Sequence, residues 1–410
     1  MDKFRKLGII EPIVRAIEEH KFTEPSEIQI KAIPLVVEGK DVIAGSATGS
    51  GKTLVFGAGI IQHTEHGKGI QALVLTPTRE LAEQITKALR HFAKYKQLNI
   101  IPIYGGVSPK PQIDEMKTAD IIVGTPGRVL DHISQETLLT DFVKILVLDE
   151  ADRMLDMGFI KDVQKIISYV PRKRQTLLFS ATIDADISYL AKMFMNNPVE
   201  IEAESYVDAS KLHQIYYEVP AHLKFSLLVH LLEKEDSSLV MVFCNTRKNT
   251  DFVAKNLKLS GIESMPIHGG FSQEKRTRTM DTFRSKKLYV LVCTDVAARG
   301  LDIKGVSHVY NYDIPKDSKD YIHRVGRTAR AGKEGKAISI LTERDFDSFR
   351  NVLRNFDVKV IQEPLPDVQK VAIKWFDEER RSFGRGQGQR GRSHNFGDRG
   401  FHGKKRRGFR

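Results

Sequence analysis

The sequence is poor in the features that mark secreted and membrane proteins. It has two cysteines among 410 residues, no long uninterrupted apolar run, and no apolar secretory stretch directly after residues 1–6. Cys244 and Cys293 each end a Val-rich run that is typical of a buried strand, so a structural disulfide is not expected. We expect a protein of the reducing cytoplasm that does not span a membrane.

The chain also lacks any His/Cys cluster with the spacing of zinc ligands. Its net charge is +12, but the charge is unevenly distributed. Residues Arg380 to Arg410 hold eleven Lys or Arg side chains against the single acid Asp398, and thus ten of the twelve net charges. This Gly/Arg-rich segment with interspersed Phe cannot bury a core, so it is predicted to be disordered and to bind a polyanion such as RNA.

The first chemically informative motif along the chain is a glycine-rich loop. It follows the apolar run 42–44, ends in Gly-Lys-Thr and precedes a helical pattern over 54–61. Backbone N–H groups of such a loop cradle phosphates, a lysine reaches the β/γ oxygens and a hydroxyl binds Mg²⁺. Ser46 stands where the general pattern has glycine. The residues predicted to bind the phosphates are Ser46, Ala47, Thr48, Gly49, Ser50, Gly51, Lys52 and Thr53, with Thr53 also on the metal.

A pair of carboxylates is the second motif. Asp149 and Glu150 directly follow the apolar run 145–148, 96 residues after Thr53. One carboxylate can hold a metal ion while its neighbour activates a water molecule. The two motifs together predict Mg²⁺-dependent hydrolysis of a nucleoside triphosphate.

Short apolar runs alternate with longer amphipathic stretches along the whole chain, which indicates α/β architecture with parallel sheets. Polar loops follow most of these runs, and ligands bind at the carboxyl ends of parallel strands. Helical patterns cover 78–95, 159–169 and 250–258. Strands are predicted at 42–44, 72–75, 100–103, 121–123, 145–148 and 176–179, and again at 240–243, 264–267, 289–293, 308–310 and 337–341.

Across residues 4–345 the motifs resemble, in order, those of the DEAD-box RNA helicases of helicase superfamily 2. Two small departures are Ser46 for the usual alanine and Ala329 for the usual glycine, and both keep a small side chain. The motifs are Phe4 with 22–29, 46–53, 77–82, 105–106, 125–128, 149–152, 180–182, 242–246, 273–276, 294–302 and 323–330.

The resemblance implies two tandem RecA-like domains with an ATP and RNA cleft between them. The corresponding boundaries are 1–204 for the first domain, 205–211 for a linker, 212–366 for the second domain and 380–410 for the tail, with 367–379 unassigned.

The resemblance also implies roles around ATP. Gln29 would read the adenine edge with its amide, and Phe22 would stack on the base, where the family places an aromatic residue. The alternative for Phe22 is a core position in the first helix pair. Asp149 would hold Mg²⁺ through water and Glu150 would orient or deprotonate the attacking water. Cationic groups complete such sites. The residues implied to reach ATP from the second domain are Arg327, Arg330 and Asp302.

Two further sets follow from the resemblance. The residues implied to couple hydrolysis to domain closure are Asp152, Ser180, Thr182 and His323. The residues implied to contact RNA are Arg79, Gly106, Thr125 and Arg128 in the first domain and Thr246, Gly270, Arg276 and Thr294 in the second. Hydroxyls, backbone N–H groups and arginines suit phosphate and 2′-OH recognition, so sequence-independent binding is expected.

The expected activity is that of an RNA-dependent ATPase and ATP-dependent RNA helicase. The sequence leaves two alternative functions open. One is a DNA helicase or translocase on the same scaffold, which DNA stimulation of the ATPase would indicate. The other is an RNA chaperone or clamp that acts through the tail, which annealing by a Lys52→Ala variant would indicate. A monomer that acts on single-stranded RNA and short RNA duplexes is expected.

Overall fold

The structure is a computed structural model that describes residues 1–19, 23–45, 50–183, 185–202, 211–298, 303, 305–329, 334–354 and 360–375. Within these residues no helix is long and apolar enough to cross a membrane. Cys244 and Cys293 are both buried and free, as expected. The predicted disordered tail lies outside the described residues, as does the predicted linker apart from Lys211.

The first half forms a seven-stranded sheet in the order β3-β4-β2-β5-β6-β1-β7, in which every pairing is parallel. All six predicted strands are confirmed, and β7 was missed because it is a half-exposed edge strand. The strands are β1 (Val42–Gly45), β2 (Ala72–Leu75), β3 (Ile100–Ile103), β4 (Ile121–Gly124), β5 (Ile145–Leu148), β6 (Gln175–Ser180) and β7 (Val199–Glu202).

Ten helices accompany this sheet within the described residues. They are α1 (Asp2–Arg5), α2 (Glu11–Glu19), α3 (Glu27–Val37), α4 (Lys52–His63), α5 (Arg79–Phe92), α6 (Pro109–Met116), α7 (Pro126–Ser134), α8 (Ala151–Asp156), α9 (Ile160–Tyr169) and α10 (Ala185–Phe194). Helices cover both faces of the sheet, which explains why its strands are nearly continuous apolar runs.

The second half forms another seven-stranded sheet in the order β10-β11-β9-β12-β13-β8-β14, again all parallel. Its strands are β8 (Leu212–Glu218), β9 (Leu239–Phe243), β10 (Ser264–Ile267), β11 (Val290–Cys293), β12 (Val306–Asn311), β13 (Gly335–Leu341) and β14 (Ile361–Gln362). Its helices are α11 (Lys224–Lys234), α12 (Arg247–Leu259), α13 (Gln273–Arg284), α14 (Asp295–Ala298), α15 (Ser318–Val325) and α16 (Phe346–Arg354).

The two sheets have equivalent strand orders. Counted along the chain, the third strand of each sheet lies at one edge and the last lies at the other. The five predicted strands of the second half are confirmed, while β8 and β14 were missed. Since the chain shows no sequence repeat, the common feature of the two halves is architecture, which places equivalent loops at the carboxyl ends of both sheets.

Each strand supplies side chains to two separate apolar layers. In β5, Ile145 and Val147 join the layer that contains α3 and α4, whereas Leu146 and Leu148 join the layer that contains α9. Alternation of side chains along a strand requires this division. Because both layers hold β5 firmly, the carboxylates that follow Leu148 have a fixed position.

The segment 360–373 is part of the second half's structure and is called the strap here. Its strand β14 pairs with β8, and Val371 donates its N–H to Ser226 Oγ at 3.1 Å. Val368, Val371 and Ile373 pack on the apolar layer that contains α11. The compact body of the chain runs from Met1 to Ile373, so we propose Ile373, in place of residue 366, as the end of the second domain.

A chain that ends at Pro366 is therefore expected to be less stable than one that ends at Ile373. Three half-buried apolar side chains, each worth about 1 kcal/mol, would be lost, which lowers the unfolding midpoint by about 5–10 °C. Thermal unfolding followed by circular dichroism measures the difference, with the full chain as reference. Equal midpoints for the two truncated chains would show that residues 367–373 of the strap contribute nothing to stability.

Candidate nucleotide site and nucleic-acid groove

The described end of the phosphate loop leads directly into α4. Lys52 is the first residue of that helix and is buried, and Thr53 follows it. Gly51 has φ +95°, a left-handed conformation that glycine adopts without steric cost. A Cβ at Gly51 would collide with Gln29 Nε2. Ser46, Ala47, Thr48 and Gly49 lie outside the described residues, so their phosphate contacts stay predictions.

The start of α3 is tied to this loop by hydrogen bonds. Ser26 Oγ donates to the Ser50 carbonyl oxygen at 2.8 Å, and Gln29 Nε2 donates to the Gly51 carbonyl oxygen at 3.2 Å. Gln29 Oε1 in turn accepts the Ser26 N–H at 3.0 Å, which completes a capping box. The amide of Gln29 is therefore held beside the phosphate loop. Phe22, the predicted stacking partner of the base, lies outside the described residues.

Asp149 lies at the carboxyl end of β5 and is buried. Its Oδ1 accepts the backbone N–H of Glu150 at 3.0 Å. Burial raises the pKa of Asp149 to about 6, and the nearby Lys52 charge opposes that rise only in part. A buried carboxylate of this kind is stabilised in its ionised form by an additional cation.

The donors around Asp149 suit Mg²⁺ better than a transition metal. Among the described residues no group of three or more His, Cys, Asp or Glu side chains could hold a metal ion. Mg²⁺ is usually bound through one or two carboxylates together with substrate phosphates and water. Asp149 with the Thr53 hydroxyl matches that donor set, so the residues present fit the metal.

Glu150 has an unusual backbone conformation for a residue with a side chain. Its φ of 52° and ψ of 51° are left-handed, a conformation that costs about 1–2 kcal/mol in an L-residue. The side chain is buried and its Oε2 accepts a hydrogen bond of 2.7 Å from Arg153 Nη1. The sequence analysis missed Arg153, although an arginine three residues after a glutamate at a helix start is an ion-pair signal.

The four predicted coupling residues lie together. Ser180 Oγ donates to the Thr182 carbonyl oxygen at 2.7 Å, and Asp152 Oδ2 accepts the Ala181 N–H at 3.2 Å. His323, from the second half of the chain, has its Nε2 3.6 Å from Asp152 Oδ2. Burial and the charge of Arg153 lower the pKa of His323, which favours its neutral imidazole. Burial opposes ionisation of Asp152, but the interactions with His323, Arg153 and Lys52 together outweigh it, so the pKa of Asp152 is lowered.

The two described arginines of the 323–330 motif have different surroundings. Arg327 is buried, and its Nε donates to the His323 carbonyl oxygen at 3.1 Å. Arg324 is also buried and forms a bidentate pair with Asp295 at 2.6 and 2.7 Å. It also donates to Asn245 Oδ1 at 2.8 Å, so it organises the ends of β9 and β11. The sequence analysis did not single out Arg324, and Arg330 and Asp302 lie outside the described residues.

Ala329, the departure from the glycine that the family resemblance implies, adopts φ +53°. The left-handed conformation costs an alanine about 1–2 kcal/mol. Gly335 faces this turn, since a Cβ there would collide with Thr328 Oγ1 and the Ala329 backbone N. The alanine is thus accommodated, with conformational strain that a glycine would not have.

A groove of about 450 Å³ opens between residues of the two halves. Four of the eight predicted RNA contacts line it, namely Arg79, Thr125, Arg128 and Arg276. Phe159, Phe271 and Val296 add apolar surface. The groove therefore combines arginines with exposed apolar groups, which suits a nucleic-acid strand.

The other four predicted RNA contacts do not line this groove. Gly106 has φ +81° and a Cβ there would collide with the Arg79 guanidinium. Thr246 caps α12 by accepting the Asn249 N–H, Gly270 donates its N–H to His268 Nδ1 at 3.1 Å, and Thr294 follows β11 with little exposure. Their RNA contacts stay predictions.

Glu80 connects the two halves at the edge of the groove. Its Oε1 accepts hydrogen bonds from Arg276 Nη2 at 2.9 Å and from Gln273 Nε2 at 3.1 Å. The Glu80 and Arg276 side chains are only 9% and 13% exposed. We call these three residues the clasp. Arg276 is therefore engaged with Glu80, a partner that the sequence analysis did not propose.

Comparisons with known proteins agree with this geometry. The DEAD/DEAH box helicase family matches residues 26–190, and the helicase conserved C-terminal domain matches residues 223–332. The DEAD-box ATP-dependent RNA helicase CshA of Geobacillus kaustophilus is 43% identical over 91% of this chain and 82% of the relative. The chain belongs to the DEAD-box family of superfamily 2. It is an ATP-dependent RNA helicase of CshA type, and thus an ATP hydrolase.

Two solved structures add information on domain arrangement. Saccharomyces cerevisiae Dbp5 bound to RNA and ADP BeF3 gives a TM-score of 0.82 at 33% identity, over 90% of this chain and 97% of that one. A DEAD box protein from Methanococcus jannaschii gives only 0.55 at 40% identity, over 88% and 99%. The TM-score is thus higher for the RNA-bound relative, although its sequence identity is lower. The confirmed fold is two tandem RecA-like domains, each built on a parallel seven-stranded sheet.

Proposed function

We propose that this helicase separates short RNA duplexes locally by closing its two domains around ATP and RNA, bending one strand, and reopening after hydrolysis. The observation that carries the proposal is the pair of contacts across the cleft, Asp152 with His323 and Glu80 with Arg276. The first contact joins the segment of the catalytic acids to the second domain. The second contact joins the two domains at the edge of the groove. Closure and hydrolysis are therefore linked through the same two domain faces.

The ATP chemistry is assigned to residues of both domains. Lys52 and the loop amides bind phosphates, Thr53 and Asp149 would hold Mg²⁺, and Glu150 orients or deprotonates the attacking water. The metal would supply neutralising charge on the phosphates. Arg327 and Arg330 stabilise the charge that develops on the transferred phosphoryl group from the second domain, and Gln29 with Phe22 selects adenine. Positioning and charge stabilisation supply most of the catalysis in such reactions.

The RNA is assigned to the groove, with recognition of its backbone. Arginines, threonine hydroxyls and glycine N–H groups bind phosphates and 2′-OH groups without reading bases. Single-stranded RNA and short duplexes are the proposed substrates, and the Gly/Arg-rich tail adds affinity for them. The proposed working form is a monomer in the reducing cytoplasm, in agreement with two buried, free cysteines.

Steady-state ATP hydrolysis tests the proposal. The rate is measured without nucleic acid, with single-stranded RNA and with DNA of the same sequence, and Glu150→Gln serves as the blank. Stimulation by RNA alone, at least about tenfold, is expected because 2′-OH groups distinguish RNA from DNA. Equal stimulation by DNA would contradict the RNA assignment. Annealing by Lys52→Ala at wild-type rates would favour a chaperone acting through the tail.

A further inference from the structure

The active site contains one fully buried cation that none of the roles above uses. Arg153 lies on α8, three residues after Glu150, and its side chain is 1% exposed. Its Nη1 donates to Glu150 Oε2 at 2.7 Å, while its Nη2 is buried and has no hydrogen-bond partner. A buried guanidinium with an unmet donor is costly. A residue that serves only stability would not be expected to leave that donor unmet.

The surroundings of Arg153 connect the hydrolytic glutamate with the second domain. Arg153 directly follows Asp152 in the sequence, and its positive charge helps to lower the pKa of both Asp152 and His323. Those two residues form the contact across the cleft. One cation thus adjoins the carboxylate that faces the water and the pair that forms when the domains close.

The backbone conformation of Glu150 explains why its side chain needs the ion pair with Arg153 to hold it in position. Glu150 is a left-handed residue between β5 and α8, so its side chain points in a different direction from the side chains of the helix. The regular geometry of α8 therefore does not orient the Glu150 side chain. The ion pair with Arg153 removes the remaining rotamer freedom. The bond from Arg153 goes to Oε2, so Oε1 takes no part in this ion pair.

We propose that Arg153 is a positioning residue for hydrolysis, which holds Glu150 through Oε2 so that Oε1 orients the attacking water. The water oxygen forms the bond to the γ-phosphorus, the bond to the ADP oxygen breaks, and the water's proton passes toward Glu150. Arg153 touches none of the reacting atoms and acts through Glu150 alone. The inference rests on the proposed role of Glu150.

The test compares Arg153→Gln and Arg153→Lys with wild type and Glu150→Gln. For Arg153→Gln we expect the RNA-stimulated kcat to fall about 30-fold, since a misplaced catalytic group can cost that much. Affinity for a fluorescent ADP analogue and for RNA should stay within about threefold, because neither contact involves Arg153 in this scheme. Lysine keeps the charge but reaches less far and contacts one oxygen, so Arg153→Lys should recover kcat only in part and stay about fivefold below wild type.

Arg174→Gln is the matched control. Arg174 is a half-buried arginine whose three hydrogen bonds go to Thr176 Oγ1 and to the Pro171 and Phe194 carbonyl oxygens. It precedes β6, so it lies at the end of the sheet opposite the site. This variant should lower the unfolding midpoint and leave kcat unchanged. A purely structural Arg153 would give the same result.

The outcomes separate the inference from the function on which it rests. A folded Arg153→Gln with kcat within twofold of wild type would overturn the inference, provided that Glu150→Gln is inactive. An active Glu150→Gln would instead overturn the role of Glu150. If Arg153→Gln does not fold, Arg153→Lys decides, because a reduced kcat at an unchanged midpoint supports positioning and a wild-type kcat contradicts it.

Discussion

Arg327→Ala is expected to lower RNA-stimulated ATP turnover by about 10³-fold or more, which is the effect of losing an arginine that stabilises phosphoryl transfer. Arg327 is buried, bonded to the His323 carbonyl oxygen, and next to the His323 side chain that contacts Asp152. We therefore expect its guanidinium to reach the nucleotide only when the domains are closed. Steady-state and single-turnover hydrolysis measure the loss.

Nucleotide affinity should change far less in this variant. In the proposed function Lys52 and the loop amides bind the phosphates from the first domain, so the dissociation constant of a fluorescent ADP analogue should stay within about threefold. Arg350→Ala is the control, since Arg350 is 69% exposed on the same domain and should leave turnover unchanged. A kcat for Arg327→Ala within tenfold of wild type would remove Arg327 from the catalytic set.

Most of the strands that the sequence predicted are buried on both faces. In β2, β5 and β9 every residue is apolar and buried, so the run itself is the signal. The missed strands lie at or beside sheet edges. β7 alternates Val and Ile with Glu, β8 mixes His, Gln and Tyr, and β14 has two residues, so none forms an apolar run.

The site could be predicted as a set of local motifs but not as a network. Motif residues such as Asp149 and Glu150 are adjacent in sequence, and their order along the chain indicated their roles. The bond between Gln29 and Gly51 and the contact between Asp152 and His323 join distant residues. No periodicity in one sequence encodes such pairs, because they depend on how the sheets pack and on how the two domains meet.

Two residues that the sequence analysis did not single out have a common property. Arg153 and Arg324 are among the largest fully buried side chains of the described structure. A sequence pattern predicts that arginine is exposed, because burying a charge is costly unless it is paired. Each arginine has a carboxylate partner, Glu150 or Asp295, and tertiary structure alone reveals that pairing.

The clasp at the groove gives the second large effect. Glu80→Arg would place two positive side chains where Glu80 and Arg276 now lie 2.9 Å apart at low exposure. Breaking such a buried charged pair across an interface costs about 2–5 kcal/mol, and about 3 kcal/mol corresponds to roughly 100-fold. We therefore expect RNA affinity in the presence of a non-hydrolysable ATP analogue to fall at least about 100-fold.

Charge exchange distinguishes two roles for Arg276. If it serves mainly to hold the domains together, the Glu80→Arg, Arg276→Glu double variant restores the ion pair and recovers most of the RNA affinity. If it serves mainly as a phosphate contact, the double variant stays weak and the salt dependence of RNA binding decreases by about one ion. Glu274→Arg is the control on the same helix, since Glu274 is 73% exposed and pairs with neighbouring Arg278.

The two roles also differ in their dependence on nucleotide. If the pair forms only on closure, its loss weakens RNA binding when the ATP analogue is present and has little effect without the analogue, since the open domains do not make the contact. Loss of a phosphate contact weakens RNA binding in both conditions. Equal losses with and without the analogue in Glu80→Arg, without rescue by Arg276→Glu, would contradict the clasp and assign Arg276 to the RNA backbone.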